Sequence, residues 1–482
     1  MKLNIERIKN IKIIKEKTGN ATDITYKDFP VDNNIITFVY SNSVSDAFYI
    51  NDFILKNLDY NKNNINSNNI FNYIKNYIPN NVIKEIYDIN ETLYYLLNGF
   101  TIILFDNINT ALAFENKANI NSPIIRSENE KNLKGPSDAF TENYQSNIGM
   151  LRRRLKTENL WFKECIVGKK SKTKVALFYL NEVADTKIVN NIYNKIKNIN
   201  IDYVGNINYI LESISNTNRT ILPTNLSTER PDFACQLLLQ GRIVLMVENS
   251  NEVIILPCMF IDFFKNPNDY YEKNINVFAN RLIRIIAMIL AVLTPAIYIS
   301  LMAYNIEALP NGLLINFSIQ RDGVPFTTVF EILIMSLMFQ ILRESDLRFS
   351  GKGSSSISIV GALVLGQAAV EAGIVSPITI IIVGISSVAS LSFSSIELIN
   401  SIRWWQLFLI ILSALFGFIG VIFGCIIILA LLLSNYSLGV PYFKPLEPFN
   451  KYWQNDALIL KNKIKFHPKN IYDKENVNNE NK

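Results

Sequence analysis

The sequence is poor in the side chains on which most catalytic and metal sites depend. Among its 482 residues there is one histidine, His467 in the polar tail, and there are four cysteines, none of them in a CxxC pair. The cysteines are Cys165, Cys235, Cys258 and Cys425. The cysteines are scattered without the paired spacing that a zinc site or a disulfide framework would show, and a single histidine in the tail argues against nucleophile–histidine catalysis. We therefore expect no cofactor, no metal and no enzymatic activity.

Charge imbalance and a signal peptide are also missing. The 47 basic and 42 acidic residues nearly cancel, which argues against a nucleic-acid partner. The first residues, MKLNIERIKNIKIIKEK, lack the apolar core of a secretory signal. We expect the N-terminal part of the chain to stay in the cytoplasm.

The second half lacks charge over long stretches, and these predict membrane helices. The uncharged runs are 285–306, 353–370, 372–396 and 404–443. Each is long enough to cross about 30 Å of hydrocarbon. A fifth run, Thr327–Leu342, is shorter and contains Glu331, so it predicts a buried or oblique helix.

Lysines in the tail after Lys444 place the C-terminus in the cytoplasm as well. The number of complete spans should then be even. Two solutions stay open: four spans with one re-entrant segment, or six with Gly312–Phe317 completing a further crossing.

The N-terminal half contains an internal repeat. Leu96–Phe114 and Leu238–Leu256 align without a gap, and each predicts a helix end, a glycine and a β-hairpin. Between them, Lys174–Leu180 predicts a strand, and Asp185 predicts the N-cap of a helix. Two related subdomains, with a ligand pocket between them as one hypothesis, explain the repeat; two unrelated hairpins are the alternative.

We therefore predict an α/β cytoplasmic region of two related subdomains, followed by an all-α polytopic membrane domain. The predicted divisions are an N-terminal subdomain at 1–120, a second subdomain at 121–275, a helical membrane domain at 276–440 and a basic cytoplasmic tail at 441–482.

The stretch Ser355–Pro377 is apolar, yet it carries an amide and a carboxylate. At about 100° per residue, two faces separate. The face that we predict to line and gate a pore holds Ser356, Val360, Leu363, Val364, Gln367 and Glu371. The face that we predict to pack against other helices holds Ser358, Gly361, Ala362, Leu365, Ala369 and Ala372. Small residues let membrane helices approach closely.

A ring of such helices would enclose a pore with an apolar girdle and a polar mouth. The plain alternative is that Glu371 snorkels to the headgroups or pairs with Arg343 or Arg348. Arg281 and Arg284, before the first uncharged run, are most simply anchors at the membrane interface.

Several stretches, taken in order, are similar to one known family. They are Lys134–Leu155, Thr228–Asn249, Asn268–Lys273, Gly323–Phe326 with Glu331, and Ser358–Pro377. With them the chain resembles the A subunits of GerA-type spore germinant receptors over about residues 96–440. Ile341–Ser345 (ILRES) matches the family too, but the chain departs from the family pattern after Ile341–Glu344, where Ser345 and Asp346 follow. It also departs at Thr327, the last position of a VPFP-like element.

The resemblance implies a multi-pass protein of the spore inner membrane. It implies a polytopic, transporter-like B subunit that senses the nutrient, a lipoprotein C subunit, and membrane lipid as partners. It further implies a homo-oligomer, expected to be a pentamer, that forms a nutrient-gated channel for monovalent cations. A non-conducting scaffold or signalling subunit is the alternative. A secondary transporter is disfavoured because no two matching membrane halves occur.

Overall fold

The computed structural model describes residues 1–31, 34–46, 70–77, 82–118, 130, 134–214, 221–348, 366–444, 446 and 456. The chain divides into two compact units. The first contains 1–218 and 225–257, and the second contains 219–224 and 258–466. The first unit mixes helices with two sheets, and the second is helical, as the sequence predicts.

The first sheet has five antiparallel strands in the order β1-β2-β4-β5-β3. Its strands are β1 (Ile24–Val31), β2 (Asn34–Ser41), β3 (Ile83–Ile86), β4 (Phe100–Leu104) and β5 (Ala111–Glu115). Its helices are α1 (Arg7–Lys17), α2 (Ile70–Tyr77) and α3 (Ile89–Leu97). Alternate residues of β2, Ile36, Phe38 and Tyr40, share one buried cluster with Ile70 and Ile74 of α2. The two-residue period of a strand thus places one apolar face under a helix.

The second sheet repeats the first, with strand order β6-β7-β9-β10-β8. Its strands are β6 (Leu160–Val167), β7 (Thr173–Leu180), β8 (Leu226–Thr228), β9 (Ile243–Val247) and β10 (Val253–Leu256). Its helices are α4 (Tyr144–Arg154), α5 (Thr186–Lys197), α6 (Ile207–Ile214) and α7 (Pro231–Leu239). Every residue of β9 is buried, which accounts for its unbroken apolar sequence.

The two predicted hairpins are confirmed as β4–β5 and β9–β10. Gly99 and Gly241 precede them with φ of 84° and 86°. Asn107 and Asn249 occupy the turns, both with φ of 64°, a conformation that asparagine tolerates better than most residues. The predicted cap is confirmed as well: the Asp185 carboxylate accepts a hydrogen bond from the Lys187 amide at the start of α5.

A buried ion pair joins the two sheet-containing halves of the first unit. The Arg152 guanidinium donates to both oxygens of Asp23 at 3.1 Å, and both side chains are fully buried. Beside it, the Trp161 ring covers Gly19, where an added Cβ would lie 2.3 Å from the ring. The part of the junction around these four residues is therefore filled by protein, and the hypothesis of a ligand pocket between the subdomains finds no room there.

Among its described residues, the second unit has five α-helices, a short helical segment at 366–371 and connecting elements. The helices are α8 (Asn274–Ala303), α9 (Asn311–Arg321), α10 (Thr328–Arg348), α11 (Pro377–Ser390) and α12 (Ile396–Ser434). Three 3-10 helices lie at Phe260–Phe264, Pro267–Tyr271 and Ile306–Ala308, and β11 (Tyr436–Ser437) pairs with β12 (Val440–Pro441). By length and apolar composition, two of the described helices, α8 and α12, could cross a membrane, and α11 is a shorter apolar helix.

The start of α8 carries a buried charge cluster. Asp269 accepts hydrogen bonds from Arg281 and Arg284, and Arg281 also donates to Asp456 at 2.9 Å. Arg281 is 0% exposed and Asp269 1%. The charges of both arginines are thus matched by carboxylates inside the protein. Arg281, being fully buried, is not an exposed anchor, whereas the anchoring role of Arg284, which is 15% exposed, stays a prediction.

The helix α12 is a hairpin. Its 39 residues would span about 58 Å if straight, twice the hydrocarbon thickness. Gly417, with φ 60° and ψ −139°, breaks the helical backbone, and beyond it Gly424 packs against Leu409. The single predicted run 404–443 therefore contains two antiparallel helical arms.

Both ends of the hairpin are held by one short stretch of chain. Ser401 donates a hydrogen bond to the Ile221 carbonyl, and Ser437 donates to that of Thr224. At the opposite end, the Tyr304 hydroxyl donates to the Ala414 carbonyl, next to the break at Gly417. The start and the finish of α12 consequently lie together, away from its tip.

Candidate functional site

The helical segment 366–371 carries the two polar residues that drew attention in the sequence. Gln367 and Glu371 lie one turn apart and are both exposed. The Gln367 amide donates to Glu371 Oε1 at 3.0 Å. Two polar side chains thus form an exposed pair in a short helical segment whose other residues, Gly366 and 368–370, are small or apolar.

Most of the predicted pore stripe lies outside the described residues. This applies to four lining positions and four packing positions: Ser356, Val360, Leu363, Val364, Ser358, Gly361, Ala362 and Leu365. Their roles stay predictions. Of the two remaining packing positions, Ala369 packs against a buried apolar cluster around Ile299 and Ile332, whereas Ala372 is exposed in the turn that follows.

The segment ends in a regular glycine cap. Gly373 has φ 66°, its amide donates to the Val370 carbonyl, and the Ile374 amide donates to that of Ala369. These two bonds and the left-handed glycine form a Schellman motif. The chain then turns into α11 through Val375, which is 1% exposed, and Ser376.

A buried carboxylate of another helix meets that turn. Glu331 of α10 is 0% exposed, and its Oε2 accepts three hydrogen bonds of 2.9 Å. The donors are the Ser376 amide, the Ser376 hydroxyl and the Thr379 hydroxyl. Since Ser376 makes no side-chain cap of its own, Glu331 serves as the cap of α11. An anion is stabilised at this end of a helix.

The other oxygen of Glu331 is less well satisfied. Oε1 makes no hydrogen bond and lies 3.8 Å from Nε of Arg321, which also lacks one. The buried Tyr298 hydroxyl is close to Ser376 and Thr379 and has no partner of good geometry. One half of the carboxylate is thus firmly bound and the other half is open.

Glu331 can be singled out in the sequence, whereas its partners Ser376 and Thr379 cannot. Its signal was a carboxylate in an apolar run, where an ionisable side chain is costly unless it is paired. Ser376 lies 45 positions further on, so no local pattern connects the two.

The alternative in which an arginine neutralises Glu371 gains no support from the described side chains. None of the arginines among them lies within ion-pair distance of Glu371, whose one described polar contact is Gln367. Arg343 is described; the side chain of Arg348 is not. The described residues also contain no group of three histidine, cysteine or acidic side chains placed to hold a metal ion.

Comparison with known proteins assigns these features to a family. The model for "Bacillus/Clostridium GerA spore germination protein" matches residues 12–470. Spore germination protein KA of Bacillus subtilis is 32% identical, with 94% of this chain and 84% of that protein covered. Spore germination protein GerQA of Bacillus cereus is 30% identical, with 94% and 90% covered.

One similar solved structure covers the N-terminal part. It is the N-terminal domain of the A subunit of the Bacillus megaterium spore germinant receptor GerK3, 31% identical in sequence. The match has a TM-score of 0.44 and covers 54% of this chain and 98% of that domain.

Proposed function

The chain belongs to the GerA family of spore germination proteins, and on this premise we propose that it is the A subunit of a nutrient germinant receptor in the spore inner membrane. In this proposal several copies, expected to be five, surround a pore that opens when nutrient is sensed. Monovalent cations then leave the spore and germination starts.

The observation that carries the proposal is the exposed pair of Gln367 and Glu371. A carboxylate facing lipid costs about 2.5–3.5 kcal/mol, so an exposed one in an apolar unit favours contact with water or with another copy. Ala369, on the opposite side of the same helical turn, packs against the apolar cluster. The helix therefore has one face committed to its own protomer and one polar face left available.

Several copies of the chain that place this polar face around a common axis would form a path for ions. A ring of Glu371 carboxylates would raise the local concentration of cations at the mouth. Val360, Leu363 and Val364, one to three turns earlier in the predicted helix, would form an apolar girdle that excludes water when narrow. Small movements of this girdle would then switch the pore between closed and open.

The hairpin in α12 supports six crossings. We propose that α8, α10, the predicted helix 353–371, α11 and the two arms of α12 each traverse the membrane. An even number returns the C-terminal tail to the side of the N-terminal unit, the cytoplasm. The sixth crossing then comes from the division of 404–443 and does not need Gly312–Phe317.

Partners follow from family membership and stay part of the proposal. They are a polytopic B subunit that binds the nutrient and a lipoprotein C subunit. We infer that the A subunit itself is not an enzyme and needs no cofactor, since the sequence offers few residues for either.

The test is cation release from spores that carry girdle variants. We expect Val360→Ala and Val364→Ala to raise nutrient-independent release, because a wider and less apolar girdle stays hydrated. Val388→Ala is the matched control, since Val388 is 68% exposed on α11 and is not one of the predicted girdle residues. Unchanged release in both girdle variants and in Leu363→Ala would contradict the proposal.

A non-conducting scaffold is the second candidate, and one observation favours it. The hydrogen bond between Gln367 and Glu371 satisfies part of each side chain without a pore. Replacing both with leucine separates the candidates. A scaffold keeps its normal germination response, whereas a channel loses cation release.

A further inference from the structure

The buried carboxylate of Glu331 connects three parts of the helical unit. It belongs to α10, it caps α11 through Ser376 and Thr379, and it faces Arg321 at the end of α9. The next residue, Ile332, lies with Val375 in the same apolar cluster. One short stretch of α10 thus holds the turn 372–376 by a charge and by packing.

That turn is the direct continuation of the segment that carries Gln367 and Glu371. The Schellman cap at Gly373 fixes the segment to the turn, and only four residues, 372–375, lie between Glu371 and Ser376. If Ser376 moved away from Glu331, Glu371 would therefore have to move with it, because the connection between them is short and hydrogen-bonded.

Oε1, the oxygen of Glu331 that makes no hydrogen bond, faces a second charged residue, Arg321. Glu331 Oε1 is 3.8 Å from Arg321 Nε, too far for a hydrogen bond but close enough for strong attraction in a buried place. Arg321 is partly exposed, and its helix α9 has no buried residue. Phe317 of α9 packs against the apolar cluster, but the Arg321 side chain is 25% exposed and can change position more easily than Ser376 and Thr379, which are both fully buried.

We propose that Glu331 is a positioning residue for gating: it latches the turn 372–376 to α10 and so holds the Gln367–Glu371 helix in its closed position. This inference rests on the proposed channel function.

The experiment uses the complete receptor in spores and compares three single variants. Glu331→Gln removes the charge with little change of shape, and Thr379→Val removes one donor and keeps the volume. Glu307→Gln is the matched control, because Glu307 is an exposed carboxylate in the 3-10 helix Ile306–Ala308. All three are brought to equal receptor amounts in the membrane.

Nutrient-independent cation release is the first measurement. Loss of a hydrogen bond to a charged group shifts a two-state equilibrium by about tenfold or more. We expect release without nutrient to rise about tenfold in Glu331→Gln, to rise less in Thr379→Val, and to stay at the parent level in Glu307→Gln. The double variant Glu331→Gln with Thr379→Val should release cations no faster than Glu331→Gln alone, since both changes break the same interaction between Glu331 and α11.

The second measurement does not depend on conduction. Val375→Cys places a thiol at a buried position of the turn, and its rate of maleimide labelling, corrected for the native cysteines, reports whether the turn is held. We expect faster labelling when Glu331→Gln is added, and no change when Glu307→Gln is added. A merely structural loss would lower receptor amount without raising nutrient-independent release.

The outcomes separate the latch from the channel. If labelling accelerates while no variant conducts, the latch stands and the channel function fails. If labelling and release both stay at the parent level in Glu331→Gln, the latch is overturned. Should Glu331→Gln not accumulate, Thr379→Val decides in the same way: unchanged labelling and release would overturn the proposal.

Discussion

The buried carboxylates Asp23, Asp269 and Glu331 are each bound by two or more hydrogen-bond donors. Asp23 accepts hydrogen bonds from Arg152 and from the hydroxyls of Ser41 and Ser43. Asp269 lies between two arginines, and Glu331 accepts three donors on one oxygen. Breaking a buried pair by removing one partner typically costs 3–5 kcal/mol, so these positions should tolerate substitution poorly.

Glu130 is the carboxylate whose ionisation opposes folding. Burial raises its pKa to about 7, although the Thr228 hydroxyl and the Glu229 amide donate to it. Between its ordinary pKa and this value the folded state binds more protons than the unfolded state. The contribution of the protonated carboxyl is complete below about pH 4.5 and is lost as the pH rises to about 7.

We predict that Glu130→Gln removes this pH dependence from the N-terminal unit. The free energy of unfolding of fragment 1–271, measured in urea between pH 5 and 8, should fall with rising pH by at most about 3 kcal/mol. In the variant this part of the slope should vanish. Glu182→Gln, an exposed position, is the control and should keep it. An identical slope in all three proteins would contradict the assignment.

Among the elements, the α12 hairpin depends most on its glycines. A Cβ at Gly417 would lie 2.8 Å from the Tyr304 ring, in a backbone conformation that side chains rarely adopt. A Cβ at Gly420 would lie 2.1 Å from the Leu412 carbonyl oxygen. The two arms can approach closely and reverse direction only because these positions have no side chain.

We expect Gly417→Ala and Gly420→Ala each to destabilise the second unit by about 2 kcal/mol or more, because of backbone strain and steric overlap. Thermal unfolding of the full chain in detergent measures the loss. Gly384→Ala is the matched control, because an added methyl group at this helical position meets nothing within 4 Å. Equal melting temperatures for all three variants would argue against a tight hairpin.

Local elements could be predicted from the sequence, and long-range ones could not. The hairpins around Asn107 and Asn249 and the cap at Asp185 depend on neighbouring residues, so their patterns sufficed. The break at Gly417 was missed because a glycine in a long apolar run resembles a continuous helix. The partners of Glu331 and Arg152 lie 45 and 129 positions away, and only the folded chain brings them together.

At the scale of the whole molecule, the proposed topology places α9 and the start of α8 on opposite sides of the membrane. Ile315 in α9 is 56% exposed and Ile275 at the start of α8 is 76% exposed. Cysteines at these positions therefore report on opposite sides if α8 crosses the membrane once.

We predict that an impermeant maleimide added to sealed vesicles labels only one of Ile315→Cys and Ile275→Cys. A tag at the C-terminus should be accessible on the same side as Ile275→Cys, because six crossings return the chain to its starting side. Accessibility of the tag on the side of Ile315→Cys would show an odd number of crossings.

Residues 221–224 also constrain the order in which this protein can mature. The carbonyls of Ile221, Pro223 and Thr224 accept from Ser401, Tyr442 and Ser437, which leave the ribosome about two hundred residues later. These three carbonyls therefore lack these partners while β8 to β10 and the helices of the second unit are synthesised. In a nascent chain stalled before Ser437, the carbonyls of Thr224 and Pro223 would lack their partners Ser437 and Tyr442, so the second unit is completed only near the end of translation.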